Sequence, residues 1–282
     1  MFGNIGRKSL GCLLGLMIVI GTASAVPFSG TVVDTGAASV LTVKPDDGTV
    51  FGEEMRVEVS AGDAKIGYLN EWVRGNLLEG NNGWYLDSIW PGYGKNEAQA
   101  EVLNRKLCAA AAHKNLGMPI KEGEIIPDFA LFNQKGEVVF AKDLRGKTVV
   151  MTFVFSRCAT PTMCPSNLAR MMRMHREVNT MGLKDVLFVL MSFDPDYDTP
   201  GVLNAYAKSH RIDNDDFMLL TGDRPVIDAL MKEFGVFVVP AEGTISHTSV
   251  AVIVNKQGAL AHRKAGFRWN VRDFVDRVKL IN

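Results

Sequence analysis

The stretch Thr148–Pro165 reads TVVMTFVFSRCATPTMCP, and it decides the fold of this chain. Its first half is a continuous apolar run, which is typical of a strand buried on both faces of a sheet. Pro165 suits the first turn of a helix, where a missing N–H costs nothing. The stretch therefore predicts a buried strand, a short loop that carries Cys158 and Cys164, and a helix that begins beside Cys164.

Strands and helices alternate on both sides of this stretch. Further apolar runs at 186–193, 217–220 and 250–254 each precede a segment with helical spacing, and 129–132 with 138–140 forms a hairpin pattern. Near-continuous apolar strands separated by helices predict an α/β sheet covered on both faces. We therefore expect residues 123–282 to form a thioredoxin-like α/β domain.

The N-terminal part of the chain has a different pattern. Between residues 26 and 95 the apolar runs are short and partly alternating, and Asp-Asp-Gly and Asn-Asn-Gly turns interrupt them. These are strand and hairpin signals, and they predict a small all-β domain, either a barrel or an OB-like fold. Residues 96–122 are rich in alanine and predict a helical linker.

The first 25 residues predict export. Arg7 and Lys8 form a basic region, an apolar stretch follows, and Ala23-Ser-Ala25 is a small-residue cleavage site. The apolar stretch is shorter than the roughly 20 residues that a membrane-spanning helix needs, so we expect cleavage rather than anchoring. We thus predict a periplasmic protein, or a membrane-associated one if the segment is retained.

The charge balance argues against nucleic acid as a partner. The chain has 282 residues, of which 31 are basic and 31 are acidic, so no electrostatic footprint for a polyanion is present. Cys108 lies in an alanine-rich helical segment, where we interpret it as a small buried thiol without a function.

Cys158 and Cys164 allow three interpretations: a structural disulfide, a redox pair or part of a metal site. A disulfide across so short a span would stabilise the fold little, which favours the redox and metal interpretations. The helix dipole predicts a lowered pKa for Cys164. His247 precedes the strand at 250–254 and would lie at the same end of the sheet, where two thiolates and an imidazole suit copper in either oxidation state.

Four motifs in order resemble the Sco/SenC family: FVFSRC ending at Cys158, the Cys164-Pro165 pair, SFDPDYDTP at 192–200 and HTSVAVIV at 247–254. The resemblance covers roughly residues 125–280. It implies a thioredoxin-like domain that binds one copper ion, Cu(I) or Cu(II), through Cys158, Cys164 and His247. It also implies a structural or indirect role at the copper site for Asp194.

Two functions follow from the resemblance and from the thiol chemistry. The first is an exported copper metallochaperone that helps to assemble the copper centre of cytochrome c oxidase, with the copper-bearing subunit or another copper or thiol protein as partner. The second is a thiol–disulfide oxidoreductase that acts on the cysteines of a periplasmic or membrane partner. Copper binding requires His247, whereas dithiol exchange does not.

Overall fold

The computed structural model describes residues 25–36, 39–80, 83–114, 118–212, 214–241 and 244–282. The predicted signal peptide therefore lies outside the described residues, apart from Ala25 at its end. Within the described ranges, no helix is both long enough and apolar enough to cross a membrane.

Five strands of the N-terminal segment close into a barrel in the order β1-β2-β3-β5-β4. Neighbouring strands are antiparallel except β3 and β5, which are parallel. Alternate residues of β1 face inward, including the fully buried Val32, as expected for strands with one solvated face. The predicted small all-β fold is confirmed. Its strands are β1 (Val26–Thr35), β2 (Val40–Pro45), β3 (Met55–Glu58), β4 (Trp72–Gly80) and β5 (Gly83–Pro91).

Two short helices flank β3 in the chain. Helix α1 (Gly48–Phe51) precedes the strand and α2 (Ala61–Ile66) follows it. Ser60 caps α2 by accepting a hydrogen bond from the backbone N–H of Asp63, which is a favoured way to start a helix.

The C-terminal segment forms a seven-stranded mixed sheet in the order β14-β13-β8-β9-β10-β6-β7. Strands β8, β9 and β10 are parallel, and both β8 and β9 are buried at every residue, so helices cover both faces of the sheet. The strands are β6 (Ala130–Asn133), β7 (Val138–Phe140), β8 (Thr148–Val154), β9 (Val186–Ser192), β10 (Phe217–Thr221), β13 (Val250–Val254) and β14 (Leu260–Ala265). A separate antiparallel hairpin consists of β11 (Val238–Ala241) and β12 (Thr244–His247).

Five longer helices complete the fold, with α4 packed on α7 and α3 packed on α6. Helix α4 buries Leu168, Met171 and Val178 at helical spacing, so these residues belong to the core. The helices are α3 (Glu97–His113), α4 (Cys164–Thr180), α5 (Pro200–Ser209), α6 (Arg224–Phe234) and α7 (Val271–Ile281). Short 3-10 turns lie at Gly94–Asn96 and Ala141–Leu144.

The barrel packs directly on the sheet domain. Helix α2 lies against α5, and the ring of Trp90 at the end of β5 meets Phe132 of β6 with centroids 6.2 Å apart. Arg74 of β4 pairs with Asp223, the residue before α6, at 2.5 Å. The two parts of the molecule therefore share both an apolar and a charged contact.

Candidate functional site

The two cysteines lie after the end of strand β8, at one edge of the sheet. The chain leaves the strand after Val154, forms a loop over residues 156–163 and enters α4 at Cys164. Pro165 occupies the first turn of α4, where its fixed φ suits the helix. The predicted strand, loop and helix are therefore all present, with Cys164 as the first helical residue.

Cys164 and His247 meet at this edge although 83 positions separate them in the chain. The Sγ atom of Cys164 lies 3.6 Å from Nε2 of His247. The Cys164 residue is only 1% exposed and the His247 residue 6%. The contact forms because His247 ends β12 just before the chain enters β13, which is the antiparallel neighbour of β8.

The contact of the Nδ1 atom determines the tautomer of His247. Nδ1 lies 2.9 Å from the backbone carbonyl oxygen of Thr248, an acceptor only, so Nδ1 carries the proton and donates it. Nε2 is then the nitrogen with a free lone pair, and it faces the sulfur of Cys164. An imidazole oriented in this way can accept the thiol proton or bind a metal ion.

Three phenylalanine rings surround the imidazole of His247. Phe193 lies closest, with ring centroids 4.5 Å apart, and Phe267 and Phe155 follow at 5.2 and 5.9 Å. This burial disfavours the charged imidazolium and lowers the pKa of His247 below its ordinary value. The apolar surroundings thus favour the neutral ring over the charged one.

The lowered pKa predicted for Cys164 is wrong. Burial raises the pKa of this thiol well above its ordinary value, and the nearby Cys158 thiol adds to the increase. A backbone hydrogen bond at Phe155 acts in the opposite direction but is the smaller effect. The helix dipole falls off within the first turn and cannot offset the loss of water around a nearly inaccessible sulfur.

Cys158 lies on the loop and is partly exposed. Its Sγ is 4.0 Å from the carbonyl oxygen of Thr160, and its backbone N–H donates to the carbonyl of Phe155 at 3.3 Å. Cys108, Cys158 and Cys164, the three cysteines in the described ranges, all carry free thiols. Among the described residues, no three Cys, His, Asp or Glu side chains are gathered into a ready-made metal site.

Asp194 forms no hydrogen bond with Cys158, Cys164 or His247. Its buried carboxylate accepts a hydrogen bond from Nε of Arg157 at 2.7 Å, and Arg224 lies 3.8 Å away. The Arg157 guanidinium also lies 4.7 Å from the ring centroid of Tyr197. Asp194 therefore holds the residue next to Cys158.

Asp198 is a residue of the site that the sequence reasoning missed. Its buried carboxylate accepts hydrogen bonds from the backbone N–H of Ser156 at 3.1 Å, from the Ser156 hydroxyl, and from the Ser192 hydroxyl at 2.5 Å. Burial is the main cause of its raised pKa, which these hydrogen bonds partly oppose. The sequence contained a signal for this contact. Ser156 follows β8 and Asp198 follows β9, and the ends of neighbouring parallel strands meet at one edge of a sheet.

The remaining histidines have other surroundings. His175 lies 2.9 Å from Asp216, and His262 lies 3.1 Å from Glu122. His210 lies 3.0 Å from the carbonyl oxygen of Tyr206, and His113 is exposed at the end of α3. None of these contacts involves a cysteine, so the pair of Cys164 and His247 stands apart as the candidate site.

Comparison with known proteins gives a family match over the C-terminal segment. The family model described as SCO1/SenC matches residues 118–279. A protein of Stutzerimonas stutzeri named for copper binding is 29% identical over 140 residues, or 48% of this chain and 66% of that protein. A SCO2-like protein of Rickettsia felis is 30% identical over 138 residues, or 46% of this chain and 64% of that protein. The match thus spans less than two thirds of either relative.

Solved structures confirm the thioredoxin-like fold. BsSco, described as a Sco family cytochrome c oxidase assembly protein with a disulfide switch, is 26% identical with a TM-score of 0.50, covering 57% of this chain and 96% of that one. A protein of Aquifex aeolicus VF5 is 21% identical with a TM-score of 0.52, covering 57% of this chain and 95% of that one, and this likeness concerns the fold alone.

Proposed function

Because the chain belongs to the SCO1/SenC family, we propose that it is an exported protein that binds one copper ion as cargo through Cys158, Cys164 and His247. It passes this ion to a partner by ligand exchange. The copper binding named for the relative in Stutzerimonas stutzeri supports the cargo. The description of BsSco as a cytochrome c oxidase assembly protein supports the copper centre of that oxidase as the destination.

The contact between Cys164 and His247 is the observation that carries this proposal. Two ligands that each lie about 2.0–2.3 Å from one ion are about 3–4 Å apart. The 3.6 Å between Sγ and Nε2 falls in that range. A thiolate and a neutral imidazole are also ligands that soft copper prefers.

Cys158 supplies the third ligand from its loop. It lies close enough to Cys164 for its thiol to influence the pKa of that residue, and it is the more exposed of the two. A partly exposed loop thiol can reach a partner protein while Cys164 and His247 remain fixed. The copper ion would thus leave from the Cys158 side, because a ligand of the partner can approach the ion only where the site is accessible.

An anaerobic Cu(I) titration of the reduced protein tests the proposal. The wild type should bind one equivalent, measured by competition with a chromophoric chelator. His247→Ala should bind at least tenfold more weakly because the site loses one of its three ligands. His113→Ala is the matched control, since it removes an exposed histidine on α3, outside the elements that carry Cys158, Cys164 and His247, and should leave the affinity unchanged. Equal affinities of wild type and His247→Ala would refute the three-ligand site.

A thiol–disulfide oxidoreductase is the second candidate, and the unequal exposure of the two thiols favours it. Cys158, the more accessible of the two, attacks a partner disulfide as a thiolate, and one partner sulfur leaves as a thiolate. Cys164 then attacks the mixed disulfide, which releases the second partner sulfur and leaves a Cys158–Cys164 disulfide. Two electrons pass to the partner, and the two thiol protons end on its sulfurs.

The effect of replacing His247 distinguishes the two candidate functions. Reduction of a partner disulfide needs both cysteines but no imidazole ligand, so His247→Ala should retain it, at a lower rate because Cys164 loses its proton acceptor. The assay follows the fluorescence of a disulfide-linked peptide during single turnover. Rapid reduction without saturable copper binding would replace the metallochaperone by the reductase.

A further inference from the structure

Two carboxylates hold the two residues that precede Cys158. Asp198 binds both the backbone N–H and the hydroxyl of Ser156, and Asp194 accepts a hydrogen bond from Nε of Arg157 at 2.7 Å. Both carboxylates are almost inaccessible to water, at 3% exposure for Asp194 and 0% for Asp198. The position of Cys158 therefore depends on where these two aspartates stand.

The first turn of α5 determines the position of Asp198. Thr199, the next residue, caps this helix, and its hydroxyl accepts a hydrogen bond from the N–H of Val202. The N–H of Asp198 donates to the carbonyl of Asp194 at 2.8 Å, which joins the two carboxylates through the backbone. A shift of this turn would thus carry both aspartates with it.

Helix α2 of the barrel packs against this first turn of α5. A Cβ atom at Gly62 would overlap the carbonyl oxygen of Gly201, and a Cβ at Gly201 would overlap the carboxylate of Asp63. Both residues are buried in this contact. Two backbones approach this closely only where side chains are absent, so the contact leaves little freedom for the two helices to slide.

The barrel holds its side of the contact rigidly. The Asp63 carboxylate accepts hydrogen bonds from the hydroxyl of Ser60 at 2.6 Å and from the hydroxyl of Tyr68 at 2.9 Å. Tyr68 is itself buried in the core of the barrel. The surface that meets Gly201 is thus fixed by the barrel core rather than by a flexible loop.

A second contact reaches Asp194 from the other side. Arg74 of the barrel pairs with Asp223, and the adjoining Arg224 donates to the carbonyl oxygen of Phe193 at 3.2 Å and lies 3.8 Å from the Asp194 carboxylate. The Arg74 and Asp223 side chains are about half exposed, so this pair contributes less than the buried contact between α2 and α5.

We propose that the barrel is a positioning element for the cysteine loop. By fixing the first turn of α5 it holds Asp198 and Asp194, and through Ser156 and Arg157 it determines how far Cys158 lies from Cys164. The barrel precedes residues 118–279, which the family model matches, so the family match does not itself supply this role. The inference rests on the proposed function only in treating Cys158 and Cys164 as the working pair.

Thiol measurements test this role without copper. In a full-length Cys108→Ser background, the rate of Cys158 alkylation by iodoacetamide and the equilibrium of the Cys158–Cys164 disulfide with a glutathione buffer are measured. Gly62→Ala should change both by about threefold or more, as for residues coupled through shared contacts. The matched control is Gly48→Ala, because a Cβ there meets no atom within 4 Å.

A double-mutant cycle identifies the route. Ser156→Ala removes one of the two hydrogen bonds from Ser156 to Asp198, so the effect of Gly62→Ala should shrink by at least half in that background. Tyr68→Phe keeps the ring but removes the hydrogen bond to Asp63, so it should change both thiol measurements in the same direction as Gly62→Ala. It provides the test if Gly62→Ala does not fold.

Two results would overturn the positioning role. One is a change of less than twofold in both thiol measurements for the interface variants, and the other is an undiminished effect of Gly62→Ala in the Ser156→Ala background. Loss of copper binding by His247→Ala tests the metallochaperone separately, because neither thiol measurement involves the metal.

Discussion

Replacement of Asp198 by alanine should be among the most destabilising single changes near the cysteines. The carboxylate is fully buried and accepts three hydrogen bonds, two from Ser156 and one from Ser192. Alanine would remove the acceptor and leave a backbone N–H and two hydroxyls without it. The loop that carries Cys158 would lose its anchor to the start of α5.

The magnitude follows from these bonds. Each hydrogen bond to an ionised group contributes about 1.5–3 kcal/mol, and each buried donor left unpaired costs a similar amount. Burial of the carboxylate opposes this gain, as its raised pKa shows. We therefore expect Asp198→Ala to lower the free energy of unfolding by about 3 kcal/mol, well below the gross sum of three bonds.

Asp196→Ala is the matched control two residues away. That side chain is 73% exposed and pairs with Arg224 at 2.7 Å, so its loss should cost less than about 0.5 kcal/mol. Urea unfolding followed by far-UV circular dichroism measures both variants. A loss of less than 1 kcal/mol for Asp198→Ala, or equal losses for the two variants, would refute the reasoning from burial and hydrogen bonding.

Three further predictions concern other parts of the molecule. Iodoacetamide should modify Cys158 well before Cys164 in the native protein, because Cys164 is 1% exposed; mass spectrometry of peptides measures the order, and the reverse order would contradict the burial. Burial raises the pKa of Asp63 above its ordinary value, so the stability that the protonated group contributes should be lost as pH rises from the unfolded pKa through the folded pKa. Asp63→Asn should flatten this dependence, which urea unfolding at a series of pH values measures. Trp269→Phe removes a hydrogen bond to the Oδ1 of Asn167 and should cost about 1–3 kcal/mol in thermal unfolding, whereas an unchanged midpoint would show that water replaces the indole N–H.

Local patterns were sufficient for much of the fold. The apolar run at 148–155 predicts β8, and Pro165 predicts the start of α4, because buried strands and first helical turns each require particular residues. The short alternating runs before residue 95 likewise predict a small β fold. They do not predict that β3 pairs in parallel with β5, since strand pairing depends on contacts between distant residues.

The candidate site was predictable only in part. Cys158, Cys164 and His247 stand out through their residue types and their places at the ends of strands. Asp198 does not stand out in the sequence, because an aspartate before a helix has the ordinary role of a cap or a turn residue. Its role depends on Ser156 and Ser192, which only the sheet brings beside it.

The pKa of Cys164 shows why the sequence could not decide everything. The sequence places this thiol at a helix start, which by itself favours a thiolate. Whether water reaches the sulfur depends on long-range packing, and here burial outweighs the dipole and raises the pKa.

The sequence by itself determined the alternation of strands and helices, the cysteines of the loop and the resemblance to a family, since each depends on residues close together in the chain. The tertiary structure alone decided that Cys164 faces the lone pair of His247, that Asp198 holds the loop and that the barrel presses on α5. These features depend on residues far apart in the chain, and burial and close packing bring them together only once the whole fold has formed.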